Sequence, residues 1–309
     1  MSALRTLRPF VVHTHDPELL TLFPLLRPFV PRLVHDAHEF VREQVMSKEY
    51  IPAGLRPIVA SASGVAQRGL TRWADGFVTV TEDVLKDVNP RVRLRLVAPN
   101  YPRLSHFAGA MPFPDLAEDA RLRLIYIGAL SRSRGIALML DVMERLGPRE
   151  AVLTLGGPFS SREFEDEITT RLRAGLDDRV RLLGRVARTD LPRYLASAEV
   201  VWNAALPTAQ FLRPTVATKD FEGAAVGLAV LESDLPGRRL VVDEGFGMVV
   251  SPSFEGHLDG LRRLIAERES IAAMGERGRV AVRDRFSWER VEARFLDFYD
   301  RLCAGGTRH

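Results

Sequence analysis

Residues 121–136 read RLRLIYIGALSRSRGI. Apolar side chains at Leu122, Leu124, Ile125, Tyr126 and Ile127 make a short strand-forming run, which Gly128 ends. A serine and arginine loop follows, and an apolar pattern of helical period opens past Gly135 over 137–146. A strand that passes through a glycine-bounded loop into a helix is half of a βαβ unit, so a parallel sheet covered by helices on both faces is expected.

Working outward, the cycle repeats. Strands are expected at 151–155, 180–183, 200–203, near 229 and near 240, with helices at 163–172, 191–197 and 219–226 and three closing helices between 257 and 302. Toward the amino terminus, strands are expected at 10–13, 32–35, 76–80 and 94–98. The clearest helix there is 58–73, and Thr81-Glu82-Asp83 offers N-cap chemistry for the next. Residues 101–120 are proline-rich, small or acidic, show neither period and read as a linker. The fold class is therefore α/β with two Rossmann-like domains, over 1–105 and 106–285, and a closing helix over 286–309 that crosses back to the first. The length of 309 residues suits two cores.

Hydrophobic residues make up 46% and charged residues 27% of the chain, an ordinary globular balance. The formal charge of +3 is small, and acidic and basic residues interleave, so no stripe for nucleic acid is present. A slight basic excess suits phosphates or peripheral contact with an anionic membrane surface. Cys303 is the single cysteine, which excludes disulfides and cysteine-based zinc sites. No apolar run reaches the roughly 18 residues of a membrane span. Residues 1–9 are basic without a secretory signal's apolar region, so a cytoplasmic location is expected.

The loop Gly128 to Gly135 carries the chemistry. Amide N–H groups at a helix start, the helix dipole and the guanidiniums of Arg132 and Arg134 suit a diphosphate, although the loop is no complete P-loop or dinucleotide fingerprint. A plain strand-to-helix turn with solvated arginines reads the same residues. Over 218–227, TKDFEGAAVG, a short helix is expected with Thr218 as N-cap and Gly227 at its end. Lys219 and Glu222 are three apart and share a face. A carboxylate suits the paired hydroxyls of a ribose and a lysine suits phosphate, while the alternative is a surface ion pair.

Six segments, in the family's order along the chain, resemble the retaining glycosyltransferase family 4, of GT-B type. RLRLIYIGALSRSRGI is similar to the family's strand, phosphate loop and helix. RVRLLGRVARTDLPRYLASAEVVWN (179–203) resembles its base-binding region, and TKDFEGAAVGLAVLESD (218–234) its ribose-binding helix. RFSWERVEARFLDFYDRL (285–302) resembles the closing helix. VVHTHDPELL (11–20) and LVHDAHEF (33–40) are similar to two strand ends of the first domain. The resemblance implies transfer of a sugar from a nucleoside diphosphate to a glycan, lipid or small-molecule acceptor, with retention and with no metal or other cofactor. It places Glu222 on the ribose, Gly128 and Arg134 at the phosphates with Arg132 and Lys219 assisting, and the backbone of Arg185 and Val186 at the base edge. His15 is then the catalytic-site residue, at a strand end facing the cleft beside the reacting sugar.

Two departures stand out. The family's second glutamate, eight positions before Glu222, is replaced by Pro214. The chain also reaches His13 almost at once, so the resemblance implies an incomplete first domain whose exposed apolar surface favours self-association. Two other functional classes fit part of the pattern. His13, His15 and Asp16 with His35, Asp36 and His38 could serve a metallohydrolase, since strand alternation puts His13 and His15 on one face. A non-catalytic nucleotide-sugar binder or partner subunit fits the shortened front.

Overall fold

The computed structural model describes residues 6–37, 41, 45, 46, 51, 52, 54–208, 211, 212 and 217–304. The chain divides into two compact units, Met1–Asn100 with Glu289–His309 and Tyr101–Trp288.

In the first unit four parallel strands, β1 (Val11–Thr14), β2 (Arg32–Ala37), β3 (Gly76–Thr79) and β4 (Leu94–Val97), lie in sequence order. Among the described residues the second unit's sheet has six strands, so the first sheet is the smaller. Leu33, Phe77, Leu20, Phe23 and Val84 form the first core. Helix α1 (Arg56–Leu70) is followed by a 3-10 turn, Thr71–Trp73. Thr81 sits at the N-cap of a 3-10 turn, Glu82–Asp87, but its hydroxyl makes no cap hydrogen bond.

In the second unit β5 (Leu122–Ile127), β6 (Ala151–Gly156), β7 (Val180–Leu182), β8 (Val200–Asn203), β9 (Ala229–Ser233) and β10 (Gly247–Val250) are all parallel. Their spatial order is β7-β6-β5-β8-β9-β10. Numbered from β5, this is the 3-2-1-4-5-6 order of a doubly wound sheet, which reverses direction between β5 and β8. In doubly wound sheets the connections diverge above the carboxyl ends of the strands at such a reversal and leave a crevice, the usual ligand position.

Period two along β5 builds both faces. Leu122, Leu124 and Tyr126 enter one core with Met139, Leu140 and Met143 of α2 (Ile136–Arg145) and Ile168 of α3 (Arg162–Arg173). Ile125 enters the other with Phe221 of α5 (Thr218–Ala225) and Ala281 and Val282 of α7 (Arg268–Asp284). α4 (Leu191–Ala196) packs on this second face, and α6 (Phe254–Ala266) on the first. Each large side chain buried in this way contributes about 1.5–3 kcal/mol.

The segment near 240 is a helical turn, Leu240–Asp243, and the last strand is β10. Val241 is buried while Val242 is 41% exposed, so the run has one packed side and is too short to span the sheet. The linker region holds two one-turn helices, Leu104–Phe107 and Pro114–Ala117. Helix α8 (Trp288–Ala304) lies from Glu289 onward in the first unit. There Phe298 fills the space beside Gly76, and the Leu302 carbonyl accepts a 2.8 Å bond from Arg32 Nε. Among the described residues no helix is long and apolar enough to cross a membrane.

One polar chain is sealed inside the second unit. Trp202 Nε1 donates to His257 Nδ1 at 3.1 Å, so the imidazole proton sits on Nε2 and points to Ser233 Oγ at 3.0 Å. Burial pushes His257 down to about 4. The unfolded chain takes up this proton as pH falls through about 6.5, whereas the folded chain does not until about 4. Stability from this group is therefore complete above pH 6.5 and is lost toward pH 4, by about 3 kcal/mol at most. Urea unfolding across this window should show the loss, and His257→Gln should flatten it; an unchanged slope in the variant would assign the loss to other groups.

Candidate functional site

The crevice at the β5/β8 reversal is floored by polar residues at strand ends. Asn203, the last residue of β8, donates from Nδ2 to Glu232 of β9 at 2.9 Å and reaches Asp220 of α5 at 3.4 Å. Arg238 Nη1 donates to Glu232 at 2.7 Å and lies 3.7 Å from Asp220. All four side chains are buried. Burial raises Glu232 well above the usual carboxylate range, helped by the negative charge of Asp220, and burial raises Asp220 as well. One guanidinium thus serves two carboxyls, and burial biases both toward the protonated form. Sequence reading missed this cluster; its visible signal is a polar residue closing each of two buried apolar runs, VVWN and AVLES.

Asp220 fixes the start of α5 and with it the adjacent Lys219. Lys219 Nζ lies 4.9 Å from the Tyr126 ring centroid, and a Cβ at Gly128 would come within 3.5 Å of Lys219 Cε. Glycine at 128 leaves room for the lysine stem. Tyr126 Oη donates to the Ala129 carbonyl at 3.1 Å, and burial pushes its phenol up to about 12. Burial, then the nearby positive Arg134, push the Lys219 ammonium down to about 8. Arg134 itself lies over the Phe211 ring at 4.6 Å. Among the described residues no carboxylate pairs with Lys219 or Arg134 within 4 Å.

The loop ahead of α2 is held against β8. Gly135 adopts a left-handed conformation, φ 76°, and a Cβ there would lie 1.8 Å from the Ala204 carbonyl oxygen. Leu206 N donates to the Ser133 carbonyl at 2.9 Å. The amides of Gly128, Leu130 and Arg134 are engaged, whereas those of Ala129, Ser131, Arg132 and Ser133 have no partner among the described residues. No side chain caps α2 or α5.

The expected residues divide. Gly128, Arg134 and Lys219 come together, with Glu222 one turn along α5. Thr218 is the first helical residue of α5 and Ala217 its N-cap, so the threonine does not cap. Arg132 does not join the group: its guanidinium pairs with Glu167 and lies over Phe164, both on α3. Glu222, only 12% exposed, faces Arg188 Nη1 at 3.8 Å instead of pairing with Lys219, and burial raises its pKa. Arg185 is exposed and Val186 packs on the second core. Their backbone groups make no hydrogen bond among the described residues.

His15 belongs to the first unit, just past β1. It is 58% exposed, stacks on His13 at 4.6 Å and has Nδ1 3.4 Å from Asp36 Oδ2. His13, 21% exposed, lies deeper, with Nε2 3.7 Å from the same oxygen. His35 faces the other side of the sheet, buried, with Nδ1 2.9 Å from Thr14 Oγ1. His38 and Pro214 lie outside the described residues.

A half-buried cation with no carboxylate paired to it among the described residues is a stored cost. The folded Lys219 loses its proton near 8 and the unfolded one near 10.5, so the charge destabilises the fold below pH 8 and is relieved as pH rises toward 10.5. Lys219→Met should therefore raise unfolding stability at pH 7 by about 1–3 kcal/mol. Thermal or urea unfolding measures this, and a loss of stability would mean that the ammonium has a compensating partner.

Residues 121–267 match the family model described as Glycosyl transferases group 1. The chain is 26% identical over 194 residues to one component of the human (Homo sapiens) phosphatidylinositol N-acetylglucosaminyltransferase, covering 62% of this chain and 38% of that protein. It is 23% identical over 188 residues to spore coat protein SA of Bacillus subtilis, covering 58% of this chain and 48% of that protein. The matched region thus spans less than half the length of either relative. Among solved structures it is similar to sucrose-phosphate synthase from Thermosynechococcus elongatus, with TM-score 0.75, 19% identity, and coverage of 96% of this chain and 74% of the other. It is equally similar to Anabaena Alr3699/HepE in complex with UDP, with TM-score 0.75, 14% identity, and coverage of 97% and 81%. Two parallel α/β units, one with doubly wound strand order and a glycosyl transferases group 1 segment, give this chain the GT-B fold.

Proposed function

We propose that the chain is a glycosyltransferase that takes a sugar from a nucleoside diphosphate and transfers it with retention to a glycan, lipid or small-molecule acceptor. The observation that carries this reading is the pair Lys219 and Arg134, two cations that, among the described residues, have no paired carboxylate and lie beside unpartnered loop amides at the β5/β8 reversal. A leaving diphosphate develops negative charge, and donors already aimed at that position lower the barrier most. The phosphates would lie along 128–134, Glu222 would accept from the ribose hydroxyls once Arg188 yields, and the open backbone at Arg185 and Val186 would meet the base. The UDP complex of the Anabaena protein supports a nucleotide ligand, and the human relative's name supports sugar transfer. Cations in the loop would do the work of a metal, so the transfer step needs none.

Calorimetry with UDP, GDP and ADP at pH 7 should show binding by at least one. Glu222→Ala should weaken it by about 1–3 kcal/mol, the scale of hydrogen bonds to a charged group. Bound phosphate raises the Lys219 pKa, so affinity should fall as pH rises past about 8, and this slope should vanish in Lys219→Met. Binding by none of the three nucleotides rejects the reading.

Transfer assayed with a donor panel should persist in EDTA, and NMR of the product should show the donor's anomeric configuration. His15→Ala should lower turnover with little change in melting temperature, because that ring is exposed. Nucleotide binding without turnover of any donor would favour the second reading, a non-catalytic nucleotide-sugar binder; loss of turnover in EDTA restored by a divalent ion would overturn the mechanism.

A further inference from the structure

Parallel pairing of β1 with β2 sets Thr14 opposite His35, so the next pair along the strands is His15 and Asp36. Alternation keeps His13 and His15 on the same side as Asp36. One ligand atom from each of His13, His15 and Asp36 lies within 4.8 Å of the others, and the two measured approaches to Asp36 Oδ2 are 3.4 and 3.7 Å. We infer that these three side chains form a binding site for a divalent transition cation of the zinc type.

Four-coordinate zinc with bonds near 2.0–2.1 Å sets its ligand atoms about 3.3 Å apart. The present spacing needs only a small closure, which the exposed His15 ring can supply by turning about its side chain. Two imidazoles and one carboxylate suit zinc, cobalt and nickel, and do not suit magnesium or calcium, which take oxygen ligands. The surroundings orient the first ligand. Tyr299 of α8 hydrogen-bonds His13 Nδ1, and Phe295 packs near the same ring at 6.4 Å. With Nδ1–H donating to Tyr299 Oη, Nε2 of His13 is the coordinating atom, the outer-shell arrangement that fixes ring orientation and tautomer at metal sites. Among the described residues three side chains supply ligands, and the remaining coordination falls to water or another donor.

Calorimetric titration of tag-free, EDTA-stripped full chain with Zn2+ should show one equivalent bound, and Co2+ should give the visible absorption of a low-symmetry complex. Mg2+ at the same concentration should show none. His15→Ala should abolish the Zn2+ isotherm, and because that ring is exposed its melting curve should match the parent. Tyr299→Phe should retain binding at about tenfold lower affinity. No Zn2+ uptake by the parent, or uptake unchanged in His15→Ala, overturns the site. A bound ion takes up the His15 ring and withdraws it from the metal-free transfer step, which makes Zn2+ an inhibitor of turnover rather than a cofactor; nucleotide titration reads residues of the second unit, so failure here and failure of the donor reading are separately visible.

Discussion

Arg238 donates to Glu232 and lies close to Asp220, with Asn203 bridging the same two carboxyls, and the second unit's crevice depends on this arrangement. Its members come from the end of β8, the end of β9, the start of α5 and the turn that follows β9. Removing one partner from such a buried group costs about 3–5 kcal/mol, because an uncompensated charge stays behind. The cluster therefore fixes where α5 begins, and with it where Lys219 and Glu222 stand. A purely apolar strand end could slide by a fraction of a turn at little cost; this one cannot.

Set beside that anchored floor, the cations above it are left incomplete. Arg238 has two carboxyls, whereas Lys219 and Arg134 have an aromatic face each. Cation–π contact is worth about 0.5–2 kcal/mol, less than the desolvation it accompanies. Structure that serves only stability would not place two like charges together near a glycine loop. On the proposed reading, the donor's diphosphate supplies the missing charge.

The layers of the fold were legible from the pattern of apolar runs, because buried parallel strands are short, β-branched and bounded by loops. What misled at 240 was composition: LVV reads as a strand, yet glycines at 237 and 245 confine it to one turn with one packed side. In the site, Gly128, Arg134 and Lys219 were readable since backbone approach and charge are local properties. Arg132 and Arg134 were indistinguishable in sequence; the left-handed turn at Gly135 and the bond from Leu206 orient the loop, and these send one guanidinium to α3 and the other to the crevice. Asp220, Glu232 and Arg238 were missed because their meaning lies in one another, and only the sheet order brings them together. His13 and His15 were grouped correctly by strand alternation, while the contribution of Tyr299 comes from a helix nearly three hundred positions away.

Strand reversal between β5 and β8 has a consequence for how the site comes into being. Its residues are spread from Gly128 to Arg238, and the two strands that flank the crevice are neighbours in space although β6 and β7 separate them in sequence. Pairings of such long sequence separation form late, since the chain must close large loops before the contacts reward it. Local helices and the β5–β6 pair can exist before any crevice does. On the proposed reading, occupancy of the crevice by a diphosphate would report that assembly of the sheet has finished, and a chain arrested at an earlier stage would present no binding surface to compete for it.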